Sequence, residues 1–446
     1  MYNKIKICLV YVFIIFSNSL FSQKVDSAYE VGTWQGFRSA AVSYTFDDGC
    51  SNQFAIAIPM FNEFGFKLTL FTVIDWSSAN WAALQSAANN GHEVASHTLT
   101  HPHLGSMTVE QQTAEEQNSR DQINSRISGQ QCLTLAYPYC ETGNLSICKK
   151  YYIAARICSG SIVPKSPSDF YNISSIICGT EGSIRTSQDF NNKVNSAVNS
   201  KGWVVYLIHG IDNDGGYSPV TNENLRGSLE YLDSNRDKFW VATFVNVVCY
   251  IKERNNVSVS ETIVNDTTFT CQVTDTLDNE IYNYPVTLRR QLPDSWLSAD
   301  ISQNGKTINS QVVEDNSKKY IMFDIAPDNG DIQIVKSTAT GVRLNDNFKL
   351  IKPDLLQNYP NPFNPVTKIR YYIPKEGTSL MNSIQLKVQL KVFDVLGNNV
   401  STLVNEKQSP GYYEVEFDGS GLPSGVYFYS MQVGNFTNTK KLVLMK

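Results

Sequence analysis

Three short motifs hold the residues whose types and spacing suit chemistry. The first, Thr45-Phe46-Asp47-Asp48-Gly49, closes an apolar run at residues 40–46 that reads as a strand. Adjacent carboxylates there are costly as mere structure, because like charges repel and loss of water opposes ionisation. A cation reverses that balance: one carboxylate ligates it while the other stays free to accept a proton. The second motif, His97-Thr98-Leu99-Thr100-His101, spaces two imidazoles four residues apart. On a helical turn that spacing puts both on one face, a two-histidine metal grip. One aspartate and two histidines make three protein ligands with a position left for water, the pattern of catalytic zinc. The third, Leu207-Ile208-His209, ends the β-prone run 203–208, and in a βα-barrel functional groups gather where strands finish.

The elements that must position these motifs are legible in outline. Residues 31–255 alternate short β-rich runs (40–46, 66–73, 133–136, 203–208) with helix-compatible stretches, as a parallel sheet or a barrel with outer helices would. Thr108-Val109-Glu110-Gln111 forms a capping box at the start of one helix, and Gly129 marks its stop. Another helix covers residues 222–235. From 257 to 338 alternating strands with turn signals read as a small β-sandwich, with Trp296 as a core anchor. A polar connector follows, then the segment Asn358-Tyr359-Pro360-Asn361-Pro362-Phe363-Asn364-Pro365, stiff and extended because proline lacks the N–H a sheet ladder needs. Five more strand-like runs reach the C-terminus.

Composition narrows the function classes. The chain has 446 residues, 37 basic and 42 acidic, for a net charge of −5, which gives no electrostatic case for nucleic acid. Charged residues make up 18%, which suits an extracytoplasmic protein. All five histidines (His92, His97, His101, His103, His209) fall in the first half, so imidazole chemistry belongs there. Residues 1–22 read as a secretory signal: Lys4 and Lys6, an apolar run of ten from Ile7 to Phe16, then a small, polar exit. Ten apolar residues are too few to span a bilayer, and no later segment is long and apolar enough, so no transmembrane segment is expected after cleavage. Of nine cysteines, Cys8 lies in the signal. The other eight are expected to pair in part in an oxidising compartment, with connectivity open. No two are spaced C-x-x-C, which disfavours a cysteine zinc site, and Cys50 reads as structural.

Taken in order, Thr45-Phe46-Asp47-Asp48-Gly49, Gly91-His92-Glu93, His97-x-x-x-His101, Tyr137-Pro138-Tyr139 and Leu207-x-His209 resemble the polysaccharide deacetylase family, carbohydrate esterase family four. The resemblance implies a distorted (β/α) barrel that hydrolyses N- or O-acetyl groups on a polysaccharide. It implies a divalent metal, zinc, held by Asp48, His97 and His101, with Asp47 as base and His209 as acid. It also implies that the Tyr139 backbone N–H faces the oxyanion and that Leu207 lines the acetyl methyl pocket. His92 and His103 read as loop or supporting groups, and Trp34, Trp76 and Trp81 as core or sugar-stacking residues. Two departures stand out. The family's third motif carries an arginine two residues before its proline, where this chain has Ala136, and Cys140 replaces the following glycine. Arg156 is the candidate to fill that space from another element. The departures leave two alternatives: a catalytically weak carbohydrate-binding protein on the same scaffold, or a hydrolase of non-carbohydrate amide C–N bonds.

The C-terminal residues resemble the sorting domain of the type IX secretion system, through the 358–365 segment, Val392-Phe393-Asp394-Val395-Leu396-Gly397, Leu422-Pro423-Ser424-Gly425-Val426-Tyr427 and the closing Lys440-Lys441-Leu442-Val443-Leu444. That implies type IX machinery as a partner, passage through the periplasm of a Gram-negative bacterium, and release or display at the cell surface. The expected order is signal peptide 1–22, catalytic domain 23–255, β-sandwich module 256–338, linker 339–354 and sorting domain 355–446.

Overall fold

A computed structural model describes residues 25–78, 80–337, 353–358, 360–373, 386–409, 411–434 and 436–446. The expected signal segment and most of the 339–354 linker lie outside the described residues. The chain divides into two compact units, residues 1–54 with 68–338 and residues 55–67 with 339–446. Among the described residues no helix is long and apolar enough to cross a membrane.

The first unit begins with strand β1 (Tyr29–Val31) and continues through β2 (Ala40–Asp47), β3 (Thr69–Thr72), β4 (Glu93–Ser96), β5 (Thr134–Ala136), β6 (Ala154–Ile157), β7 (Ile173–Ser174), β8 (Ile176–Ile177), β9 (Trp203–Ile208) and β10 (Phe239–Val241). Helices along this stretch of chain are α1 (Ile58–Phe64), α2 (Trp81–Asn89), α3 (Val109–Arg126), α4 (Leu145–Tyr151), α5 (Ser187–Val198), α6 (Asn222–Asp233) and α7 (Phe244–Asn256). Strands β7-β6-β5-β4-β3-β2-β9-β8 form a parallel path, with β10 added beside the start of β2. The two ends of that path, β7 and β8, are separated by Ser175 alone. Since β7 pairs with β6 and β8 with β9, the sheet must curl until its edges meet at this residue. The result is a nearly closed eight-stranded barrel, the fold class expected from sequence.

Strand alternation fills the barrel and fixes which side chains reach its mouth. Ala41, Ser43, Thr45 and Asp47 share one face of β2; Trp203, Val205, Leu207 and then His209 share one face of β9. Trp203 Nε1 donates to Ser43 Oγ at 3.0 Å, which identifies both as inward. Lower down, the buried Glu93 carboxylate accepts from Thr69 Oγ1 (2.8 Å), Thr134 Oγ1 (2.5 Å) and Val245 N (2.9 Å), so it sits at the first turn of α7, where the helix dipole favours an anion. The same parity carries upward to Asp47, His97, Ala136, Arg156 and His209 at the C-terminal ends of the strands.

Residues 258–336 form two antiparallel sheets, built from β11 (Ser258–Asn265), β12 (Thr268–Thr274), β13 (Val286–Gln291), β14 (Ala299–Gln303), β15 (Lys306–Ile308), β16 (Ser310–Asp315), β17 (Lys318–Ile325) and β18 (Ile332–Lys336). Their orders are β11-β12-β18-β14-β15 and β1-β13-β17-β16. Strand β1 thus precedes the barrel in sequence yet pairs with β13. Trp296 is buried and stacks on Phe269 at 4.7 Å, anchoring this core as its sequence suggested. One hydrophobic cluster runs through both barrel and sandwich, with Trp240 against Tyr250 (5.0 Å) and Tyr284 (6.1 Å).

In the second unit, β19 (Asp354–Leu355), β20 (Val366–Ile373), β21 (Leu386–Phe393), β22 (Asn399–Gln408), β23 (Gly411–Asp418), β24 (Gly425–Val433) and β25 (Phe436–Leu444) form the sheets β19-β20-β23 and β22-β21-β24-β25 around their own core. The proline-rich segment is tied in by Phe363, whose N–H donates to Val443 O at 2.9 Å and whose ring is buried.

Candidate active site

Asp47 is the last residue of β2, and Asp48 follows at φ 71°, a left-handed turn that swings its carboxylate back across the barrel mouth. His97 follows β4 directly. Its Nδ1 lies 2.8 Å from Ala136 O, an acceptor, so that nitrogen carries the proton and Nε2 presents a lone pair. His97 Nε2 and His101 Nε2 lie 3.6 and 3.7 Å from Asp48 Oδ1. Asp48 Oδ1 is itself buried with no hydrogen-bond donor. Electron-rich atoms converging on one buried point repel unless a cation lies between them, so this donor set fits a metal. The three side chains form a group that could hold an ion. Electrostatics agree: burial, and then the neighbouring Asp47 charge, push the Asp48 carboxyl up to about 7. Burial likewise drives His97 down to about 4 against the pull of Asp47. A neutral imidazole suits a metal ligand.

The 97–101 segment is not the helical turn that the four-residue spacing suggested. It is an irregular loop with Thr98 and His101 at φ 67° and 65°. Side chains have displaced the helical hydrogen bonds. Thr98 N–H donates to Ser96 Oγ (3.2 Å) and His101 N–H to Thr98 Oγ1 (3.1 Å). Glu115 of α3 takes Leu99 N–H (2.9 Å), Thr100 N–H (2.8 Å) and the Thr100 hydroxyl (2.8 Å). One carboxylate from the helix thus grips the span between the two histidines. Sequence reasoning did not find it, and its only outward signal is an acidic side chain on the buried face of a capped helix.

Arg156 lies buried in β6, directly paired in register with Ala136 of β5. Neighbouring positions of a parallel sheet point the same way, so the small Ala136 side chain leaves room for the arginine. Its guanidinium donates to both carboxylate oxygens of Asp47 and to Ser175 Oγ (3.1 Å), the residue where the barrel closes. Burial alone would raise Asp47. The Arg156 charge, followed by those of His97 and His209, overrides it and holds the carboxyl below the ordinary value.

His209 follows β9, and burial lowers its pKa while Asp47 opposes the shift. Gln53 Nε2, also missed in sequence, donates to the carbonyl oxygens of both Asp47 (2.5 Å) and His209 (2.9 Å), clamping the ends of β2 and β9 together. Leu207 is buried two residues below His209 on the same face. Tyr139 lies in a tight turn at φ 55°, with Cys140 at φ 60° behind it. With Asp48, Thr98 and His101 these make five non-glycine residues in left-handed conformations around one site, a concentration of strain typical of functional centres. The side chains of Trp76, Tyr139 and Tyr217 are 51%, 55% and 52% exposed, and each ring touches a histidine: Trp76 on His101 (5.1 Å), Tyr139 on His103 (3.9 Å), Tyr217 on His209 (5.1 Å). Trp34 is instead buried in the core, Trp81 carries the Arg126 guanidinium over its ring, and buried His92 accepts from Leu68 N–H.

Comparison with known proteins places two segments of the chain in known families. The polysaccharide deacetylase family matches residues 35–151, and the secretion system C-terminal sorting domain family matches residues 357–445. A gellan lyase from Bacillus sp is 28% identical over 333 residues; the match covers 70% of this chain but only 13% of that protein's length. Among solved structures, the carbohydrate esterase domain of a multidomain xylanase from a termite hindgut metagenome is 20% identical, covering 47% of this chain and 89% of its own, with a TM-score of 0.35. A family four carbohydrate esterase from Streptomyces lividans is 18% identical (45% and 91% covered, TM-score 0.32). A pseudoenzyme of that esterase family from Bacillus anthracis is 13% identical (47% and 66% covered, TM-score 0.33). With motifs, strand order and both family matches in agreement, the chain carries a polysaccharide deacetylase domain, matched over residues 35–151, and, at its C-terminal end, a secretion-system sorting domain.

Proposed function

We propose that the chain is an exported, metal-dependent hydrolase that removes acetyl groups from a polysaccharide. The observation that carries this reading is the convergence of Asp48, His97 and His101 beside an Asp47 kept ionised by Arg156. A divalent cation, zinc in this reading, would supply a water of lowered pKa and positive charge beside the acetyl carbonyl. Asp47 takes the proton of the attacking water, and its bond to Arg156 holds it oriented for that task. The Tyr139 N–H donates to the oxygen on which negative charge develops. His209 gives a proton to the departing amine or alcohol. Leu207 lines the space for the methyl group. The exposed rings of Trp76, Tyr139 and Tyr217 support a sugar substrate, since their faces suit the C–H faces of pyranose rings.

Acetate release decides the matter. The mature protein, loaded with zinc or cobalt, is incubated with acetylated chito-oligosaccharides, peptidoglycan and acetylxylan. At least one should yield acetate, and Asp47→Asn should lower turnover by about 10²–10⁴-fold. Metal-loaded protein that releases acetate from none of them would overturn the proposal. The sorting domain supports delivery to the outer surface or medium of a Bacteroidetes-type bacterium through the type IX machinery.

A further inference from the structure

The base-holding arginine and the oxyanion turn lie on different strands in this chain. Where the family pattern puts the arginine two residues before the proline, one continuous stretch of chain sets its distance from the oxyanion residue. Here Arg156 is on β6 and Tyr139 follows β5, so that covalent constraint is absent. The sheet ties the two strands only as far as Tyr137, whose N–H donates to Arg156 O at 3.2 Å. Beyond that bond the chain turns outward through Tyr139 and Cys140, both in left-handed conformations. One covalent link then rejoins the strands: Cys140, one residue past Tyr139, is bonded to Cys158, two residues past Arg156. The other six cysteines of the described chain are unpaired thiols, so the single cross-link falls at the barrel mouth and nowhere else. Both its ends are half-buried, at the rim and not in the core.

We propose that the Cys140–Cys158 disulfide is a positioning element for catalysis, holding the Tyr139 turn against the strand that presents Arg156. It rests on the deacetylase reading above. Its role is to restore, across two strands, the fixed separation between base and oxyanion donor that a single loop would otherwise provide. Misplacement of a reacting group by ~1 Å can cost ~10²-fold in rate, so the link acts on turnover more than on affinity.

The test uses the full mature chain carrying Cys140→Ser and Cys158→Ser together, with and without Arg156→Met. Acetate-release kinetics, bound metal per chain and amide hydrogen exchange of peptides covering residues 133–142 are measured. The disulfide-free variant is expected to lose ~10-fold or more in kcat with KM and metal content unchanged. Exchange should speed up from residue 137 onward, and adding Arg156→Met should cost much less than it does in the cross-linked chain. Unchanged kcat, losses that multiply with Arg156→Met, metal lost in step with activity, or unchanged exchange would each overturn the proposal. If the double variant cannot be purified, reduction of the folded chain with a phosphine gives the same comparison. If the parent chain releases no acetate from any substrate, it is the deacetylase reading that fails, and hydrogen exchange alone decides the cross-link.

Discussion

Arg156 occupies the inward position of β6 beside an alanine, and its guanidinium is the largest favourable influence on the Asp47 carboxylate. Arg156→Met should therefore lower kcat by ~10²-fold while metal stoichiometry stays intact, read by acetate release and elemental analysis. Unchanged turnover with full metal would remove its role. Asp48 leads to a second expectation. Its carboxyl is pushed up to about 7, and only the deprotonated form ligates a cation. Metal affinity should fall as pH drops below that value, by about fivefold between pH 7 and 6, and titration calorimetry should show about half a proton released per metal bound at pH 7, rising toward one by pH 6. Asp47, Asp48, His97, His101 and His209 were legible in sequence because carboxylate pairs and spaced imidazoles are rare in apolar surroundings. Glu115 and Gln53 were not, because they act on backbone amides and carbonyls, and such contacts leave no pattern in the chain.

Helix α3 shows what residue patterning can and cannot reveal about an element. Its start was readable: Thr108 N–H donates to Gln111 Oε1 at 3.0 Å and Gln111 N–H to Thr108 Oγ1 at 3.3 Å, closing the expected capping box. Its function was hidden, because the buried face carries Gln112, Glu115, Glu116 and Ser119 in place of aliphatic residues. Strand β9 matched its sequence range, being six consecutive apolar residues. Strands β4 and β6 escaped notice, since each has four residues and one of them is a buried charge, Glu93 or Arg156. Removing the grip at residues 99–100 separates loop from helix: Glu115→Ala should weaken metal binding by ~10–100-fold, measured by competition with a chelator. Thr108→Ala should cost about 1 kcal/mol of stability and leave the metal site alone, as denaturant titration would record.

At the scale of the molecule, the barrel and β-sandwich share one core, and Tyr250 of α7 donates to Gly32 O at 2.8 Å just after β1 leaves the sandwich sheet. Buried Glu253, also on α7, is raised to about 9 by burial and then by hydrogen bonding to Asp275 of the sandwich. A carboxyl raised above its unfolded value binds more protons when folded. Its contribution is full at acid pH and is lost as pH climbs from about 4.5 to about 9. Glu253→Gln should therefore gain in melting temperature relative to the parent between pH 6 and 9. A constant difference across that range would contradict the account. Residues 355–446, fused behind an exported reporter in a bacterium with type IX secretion, should carry it to the surface or medium, whereas deleting them should retain the chain in the periplasm. The change from parallel to antiparallel sheets was readable because turn-rich alternation contrasts with strand–helix alternation. The sharing of a core was not, because it joins residues far apart in the chain.

The strand-borne arginine also matters for how such an enzyme can change. Where base tuning and leaving-group recognition occupy one surface segment, every mutation that broadens acyl or glycan choice risks the acidity of the site. In the proposed reading of the site, the charge beside Asp47 is embedded in the sheet, so the rim around Tyr139 can diversify while that carboxylate keeps its strength. Libraries that randomise residues 141–144 and retain Cys140 offer a direct way to exploit that separation.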